Sequence, residues 1–166
     1  MARHKFKKRR ASTAQNNMKP GAAPGELTVN PLSYPTQILV MAYGPEGFIE
    51  QECKTVEEIH PLSKTWPVVL VNIIGLGNLE IIEKIGTQFG IERLSLEDVL
   101  DTSHNPKIEY HEHHIFSIIK GGYLDEQLDT EQFSLFLKKN IVIVFEEKPN
   151  NSSFVNVRER IRRGIG

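Results

Sequence analysis

The stretch EYHEHHIF, residues 109–116, places three histidines and two glutamates in six consecutive positions, the densest run of potential metal ligands in the chain. In an extended strand His111 and His113 share one face, while Glu112 and His114 share the other. Two histidines on one face can hold a borderline divalent ion, but a stable site needs three or four ligands. The run lies between the polar NPKIE and the apolar IFSII, where a sheet begins at its exposed end. We read it as a solvated turn that contains histidines, with adventitious zinc or nickel binding as the alternative.

A second stretch, LSLEDVLDTS at residues 94–103, offers harder ligands. On a helix turning about 100° per residue, Leu96, Val99 and Leu100 gather on one side and Glu97, Asp98 and Asp101 on the opposite side. Three acids and no base then share one exposed face. That face is either an ordinary solvated surface or half of an oxygen-rich site for a hard cation. Mg2+ keeps several waters and needs only one or two carboxylates, so a second protein surface could complete such a site.

Other chemistry finds no frame. VNIIGLGNLEIIEKIG joins a strand, a glycine turn and a helix, as a dinucleotide-binding unit does, but the third glycine position of that fingerprint is Glu80. No acid closes a second strand about 20 residues further on, where the fingerprint needs one. Glycines that turn the chain into an Asn78-capped helix account for the segment. Cys53 and His60 stand seven apart with no third group, and Ser103 beside His104 lacks the context of a nucleophile elbow. No enzyme is expected.

Positioning these groups requires a mixed set of elements. TQILVMAYG and GFIEQE, separated by GPEG, predict a hairpin. TVEEIHPL predicts a short helix with Thr55 as N-cap and Glu58 at the capping-box spacing. PVVLVNII is nearly continuous in apolar residues, as in a strand covered on both faces. Leu79–Phe89 predicts a helix with Leu79, Ile82, Ile85 and Phe89 inward and Gly90 as its stop. A second helix is expected from Leu94 to Asp101. Three strands follow, over His114–Leu124, Glu131–Lys138 and Ile141–Glu146, then a helix from Ser152 or Ser153 to the chain's end. Helices before, within and after the strands imply an α/β class fold: a layered αβα sandwich with a mixed parallel and antiparallel sheet between helices.

Composition bounds the rest. The 166 residues are 39% hydrophobic and 25% charged, as in one globular domain. The longest apolar runs fall far short of the about 20 residues that span a bilayer, and no apolar block follows the basic N-terminus as a secretory signal requires. Cys53 is the sole cysteine, which excludes an internal disulfide and fits the cytosol. Residues 1–24 read as a disordered basic arm: seven Lys or Arg and no acid fall in the first 20 positions. The rest carries 13 basic and 21 acidic side chains, a net of −8. An acidic body repels nucleic acid, which is not expected as a partner, and attracts cations.

The order of motifs from residue 24 onward resembles the N-terminal cytoplasmic domain of the CorA family of magnesium and cobalt transporters. NIIGLGN, IIEKIGTQFG, LSLEDVLDTSHNPKIE, IFSIIK, EQFSLFLKKNIVIVFEE and FVNVRERIRRGIG carry the likeness. The resemblance implies that residues 25–166 are a regulatory, metal-sensing domain on the cytoplasmic side of the cell membrane. Its implied partners are its own stalk and transmembrane region, the other subunits of a homopentamer, and divalent cations. Asp98 matches the family acid that helps to bind a regulatory Mg2+ between subunits, and Glu97 matches an acid of a nearby metal position; Asp101 is the third candidate. The resemblance also places the histidines at a connecting turn. Asn105 stands where the family commonly has arginine, and the pore signature is not within these residues, so the chain is expected to be a soluble fragment that does not itself conduct. A related zinc transporter's cytosolic domain and a stand-alone acidic binding module are the alternatives.

Overall fold

In the computed structural model, residues 23–124, 128–149 and 154–164 are described. The expected basic arm lies outside them except for Ala23 and Pro24, as do both residues expected to open the last helix. One seven-stranded sheet runs through the molecule in the order β2-β1-β3-β7-β6-β5-β4. Its strands are β1 Gln37–Gly44, β2 Gly47–Cys53, β3 Val68–Ile74, β4 Lys107–Tyr110, β5 Ile115–Leu124, β6 Leu128–Lys138 and β7 Ile141–Glu146. Only β3 and β7 pair in parallel; every other neighbour is antiparallel. These two central strands are the most continuously apolar, because both their faces are covered.

One face carries α1 Ile59–Thr65, α2 Leu79–Phe89 and α3 Arg93–Leu100. Ile59, Ile82, Ile85, Phe89, Leu96 and Val99 interlock there with Ile38, Val40, Val69, Val71, Ile73, Phe116, Ile118, Phe136 and Ile143. The residues of alternate parity point to the other face, where α4 Val155–Arg162 and Phe154 cover Met41, Leu70, Phe133 and Val144. The mixed sheet between helices is the expected αβα sandwich.

The α4 face also buries charge. Asn72 of β3 donates to the Glu146 carboxyl, and Glu131 accepts from the Lys148 backbone N–H at 2.8 Å. Glu131, Glu146 and the α4 residue Arg158 all have under a tenth of their surface exposed. Burial pushes the Glu146 carboxyl up to about 7, the Asn72 bond opposes this, and nearby Glu131 adds to it.

Local signals explain the elements. Asn78 caps α2 by accepting from the Ile81 N–H at 3.2 Å, and Gly90 ends it in the left-handed region at φ 68°. The GLGN turn crosses the backbone of Tyr34 and Pro35 so closely that a Cβ at Gly75 would lie 2.3 Å from the Pro35 carbonyl oxygen. Those glycines lead into the Asn78-capped helix as expected and in addition let the two chain segments cross, which the sequence did not announce.

Three expectations are corrected. The Thr55–Leu62 helix is a 3-10 turn, Val56–Glu58, with Glu58 accepting from the Thr55 N–H, followed by α1 displaced toward Thr65. The strand expected from Glu131 begins at Leu128. β4 was not expected: its alternation is Lys-Ile-Glu-Tyr, and as an edge strand it leaves Ile108 and Tyr110 exposed, so no apolar stripe announces it.

Candidate metal site

The acids of LSLEDVLDTS sit where α3 ends against β4. Gln132 of β6 fixes that end, donating from Nε2 to the carbonyls of Asp98 and Asp101 at 3.0 and 3.2 Å. Lys120 of β5 donates to the Thr102 carbonyl at 2.6 Å and to Gln132 Oε1 at 2.9 Å, placing a cation at the negative end of the helix. Burial lowers the Lys120 pKa, against the pull of Glu147 and Asp101.

Asp98 is the centre of this region. Its Oδ2 lies 2.5 Å from Lys107 Nζ and its Oδ1 2.8 Å from His104 Nε2. Lys107 reaches on to Glu109 Oε1 at 2.9 Å, and its ammonium lies 5.5 Å from the Phe116 ring centre. Lys107 and Glu109 are two apart on β4, so both turn to the face that α3 covers. Partial burial works against the Lys107 charge, but hydrogen bonds to Asp98 and Glu109 outweigh it and raise the pKa; the same bond lowers that of Glu109.

The other two predicted acids point elsewhere. Glu97 Oε2 accepts from the Gly25 N–H at 2.7 Å, tying the start of the domain to α3. Asp101 is buried, and its Oδ1 accepts from Ser103 N and Oγ at 3.0 and 2.6 Å; its Oδ2 lies 3.6 Å from His104 Nε2. The expected exposed face of three acids without a base is thus corrected. Asp101 is the C-cap, at φ −86° and ψ 90°, so the 100° helical rotation no longer governs it. The bases come from the following loop and strand. Lys107 and Glu109 were missed because only β4 brings them under α3, and His104 because it reaches Asp98 from the loop before β4; the alternation of Lys107 and Glu109 was the available signal.

The histidine turn is also corrected. His113 and Glu112 are exposed, but His111 and His114 are partly buried with rings stacked 4.2 Å apart at 16°. His114 stacks in turn on Phe136 at 4.3 Å. Neither Nε2 atom has a hydrogen-bond partner. In parallel rings the in-plane lone pairs run side by side and do not converge on one ion. Burial, then the neighbouring His111, lowers the His114 pKa. Glu92 and Glu109 lie 3.8 and 3.7 Å from the His111 nitrogens.

Among the described residues no three of His, Cys, Asp and Glu gather closely enough to hold a metal alone. The α3–β4 donors are nevertheless carboxylate oxygens, which suit a hard cation that keeps its waters. Asp98, which faces Lys107 and His104, offers a donor of that chemistry, and Glu97 beside it has one oxygen taken by the Gly25 N–H. The histidines, softer donors in a stacked pair, do not offer that chemistry.

A family model described as CorA-like Mg2+ transporter protein matches residues 78–166. That is more than half of the chain, which belongs to this family. The cobalt/magnesium transport protein CorA of Thermotoga maritima is 38% identical over 134 residues, covering 78% of this chain and 38% of that protein. The chain therefore spans well under half the length of that relative. The soluble domain of CorA from Methanocaldococcus jannaschii matches in fold with a TM-score of 0.56 at 15% identity, over 76% of this chain and 46% of that one. The full-length CmaX protein matches with a TM-score of 0.60 at 15% identity, over 78% and 39%. Among the described residues no helix is long and apolar enough to cross a membrane.

Proposed function

We propose that this chain is the regulatory, metal-sensing part of a divalent-cation transporter for Mg2+ or Co2+. In this reading it lies on the cytoplasmic side of the cell membrane, joined to a stalk and transmembrane region in a homopentamer. Asp98 presents its carboxylate to a neighbouring subunit, with Glu97, one oxygen of which is taken by the Gly25 N–H, as the acid of a second, nearby position and Asp101 beside His104. The observation that carries the reading is the family match over residues 78–166, which takes in α3 and β4 together.

Facing carboxylates at a subunit boundary repel by about 4 kcal/mol per close pair at an effective dielectric constant near 20. A Mg2+ between them would replace that repulsion with attraction. Asp98 holds one side of the contact; its backbone carbonyl, fixed by Gln132, keeps the side chain at the helix end. A site of millimolar affinity contributes about 4 kcal/mol at the 1 M standard state, and several around a ring bias the pore between closed and open by population shift. Abundant Mg2+ favours the closed pore. No covalent bond is made or broken in this role, which is binding and not catalysis.

The test is Asp98→Asn in the full-length protein. Mg2+-dependent closure, followed by protease protection, should weaken; an unchanged Mg2+ response removes Asp98 from the mechanism.

A further inference from the structure

We propose that Lys107 is a built-in counter-cation that competes with the divalent ion for Asp98. The inference rests on the regulatory reading above and names how its site is set. The Lys107 ammonium lies between two carboxylates from different elements, Asp98 on α3 and Glu109 on β4, at 2.5 and 2.9 Å. A divalent ion of Mg2+ size binds oxygen at about 2.0–2.1 Å. An ammonium at Asp98 Oδ2 opposes its approach, because two cations beside one oxygen repel each other at short range.

The backbone keeps this competitor in place. Lys107 is paired with Ile118 and Glu109 with Phe116 in the β4–β5 ladder, so both roots are fixed on the face beneath α3. The lysine side chain still retains 29% of its exposure and can swing to solvent without breaking that ladder. Divalent binding therefore exchanges one cation for another: Lys107 leaves Asp98 and keeps Glu109 or water. The exchange weakens the site and sets its threshold, while Glu109 holds the displaced ammonium nearby for return when the divalent ion is scarce. His104 touches the other oxygen, Oδ1, and does not block Oδ2.

A merely structural salt bridge predicts something different. Its loss would reduce both stability and metal affinity, whereas removing a competitor reduces stability without the ion and tightens binding of the ion. Mn2+, titrated into the chain and read by electron paramagnetic resonance, is the probe. Lys107→Met should bind Mn2+ about tenfold more tightly than the unsubstituted chain, and Lys107→Arg should stay within about twofold of it. Lys107→Gln repeats the experiment with a polar side chain if the methionine variant does not fold. Asp98→Asn added to Lys107→Met should abolish the gain. Unchanged or weaker Mn2+ binding in the neutral variants overturns the inference. If Asp98→Asn changes binding in neither background, the metal reading of Asp98 itself fails; if it weakens binding while neutralising Lys107 has no effect, only the counter-cation role fails.

Discussion

Two charged clusters lie on opposite faces of the same sheet, and they treat their carboxylates differently. At the α3–β4 end, Asp98 and Glu109 are partly exposed and meet a lysine and, at Asp98, a histidine. Under α4, Glu131 and Glu146 are almost fully buried, with Asn72 and Arg158 acting on Glu146. Lys107 holds the Glu109 carboxyl below the ordinary range, while burial raises that of Glu146 to about 7. A carboxylate that stays ionised at the surface can exchange one cation for another. A buried one resolves its charge by a proton and a fixed partner, and serves the fold. In the proposed reading, ion sensing falls to the α3 end, while the α4 face serves as a structural anchor.

The largest effect that could break this division is at Arg158. Arg158 acts by its charge on the buried Glu146, and removing one member of a buried charged cluster costs about 3–5 kcal/mol, so Arg158→Met should lower stability by about 3 kcal/mol in urea unfolding at pH 8, where Glu146 is ionised. Asp98→Asn, at a partly exposed pair, should cost no more than about 1 kcal/mol. Equal losses at the two positions would erase the distinction.

Next comes the pH dependence of the buried cluster. The Glu146 pKa is raised in the fold from 4.5 to about 7, so the folded chain binds the extra proton between those values. Its stabilisation is complete below pH 4.5, declines as pH rises to about 7, and is absent above. The slope contributed is at most about 1.4 kcal/mol per pH unit. Glu146→Gln, which keeps the acceptor for Asn72, should flatten this limb and leave the variant more stable than the parent at pH 8. An unaltered limb in stability measured from pH 4 to 8 would show that Glu146 does not keep its proton.

The histidine turn provides a smaller effect of opposite sign. The folded pKa of His114 lies below its ordinary 6.5, so its contribution is complete above pH 6.5 and is lost as pH falls below it. His114→Phe, which preserves stacking on Phe136, should remove that acid-side loss in stability measured from pH 4 to 8. The smallest effect is expected at Glu97: Glu97→Gln retains an acceptor for the Gly25 N–H and should shift stability by about 0.5 kcal/mol. A drop of several kcal/mol there would make Glu97 part of the anchoring system instead.

Much of the architecture was legible because its signals are local. Leu79–Phe89 has a cap, an inward stripe and a glycine stop in eleven residues, and it forms as read. The β1–β2 hairpin and the apolar β3 and β7 follow from alternation and continuous burial. β4 was not legible, since its apolar side chains face outward at a sheet edge. The site inherits that gap. Asp98 could be named from the helix and the family pattern, but its cationic partners come from β4 and the loop before it. Asp101 misled because one non-helical residue ends the wheel. The histidines misled because a turn can fold two of its rings inward, His114 against Phe136 and His111 against His114.

The most direct test of the account is the Mg2+ dependence of cation flux through the full-length protein carrying Asp98→Asn. The account predicts that flux persists at Mg2+ concentrations that close the parent, with the inhibition curve moved to at least about tenfold higher Mg2+. A variant that closes over the same Mg2+ range as the parent would contradict it.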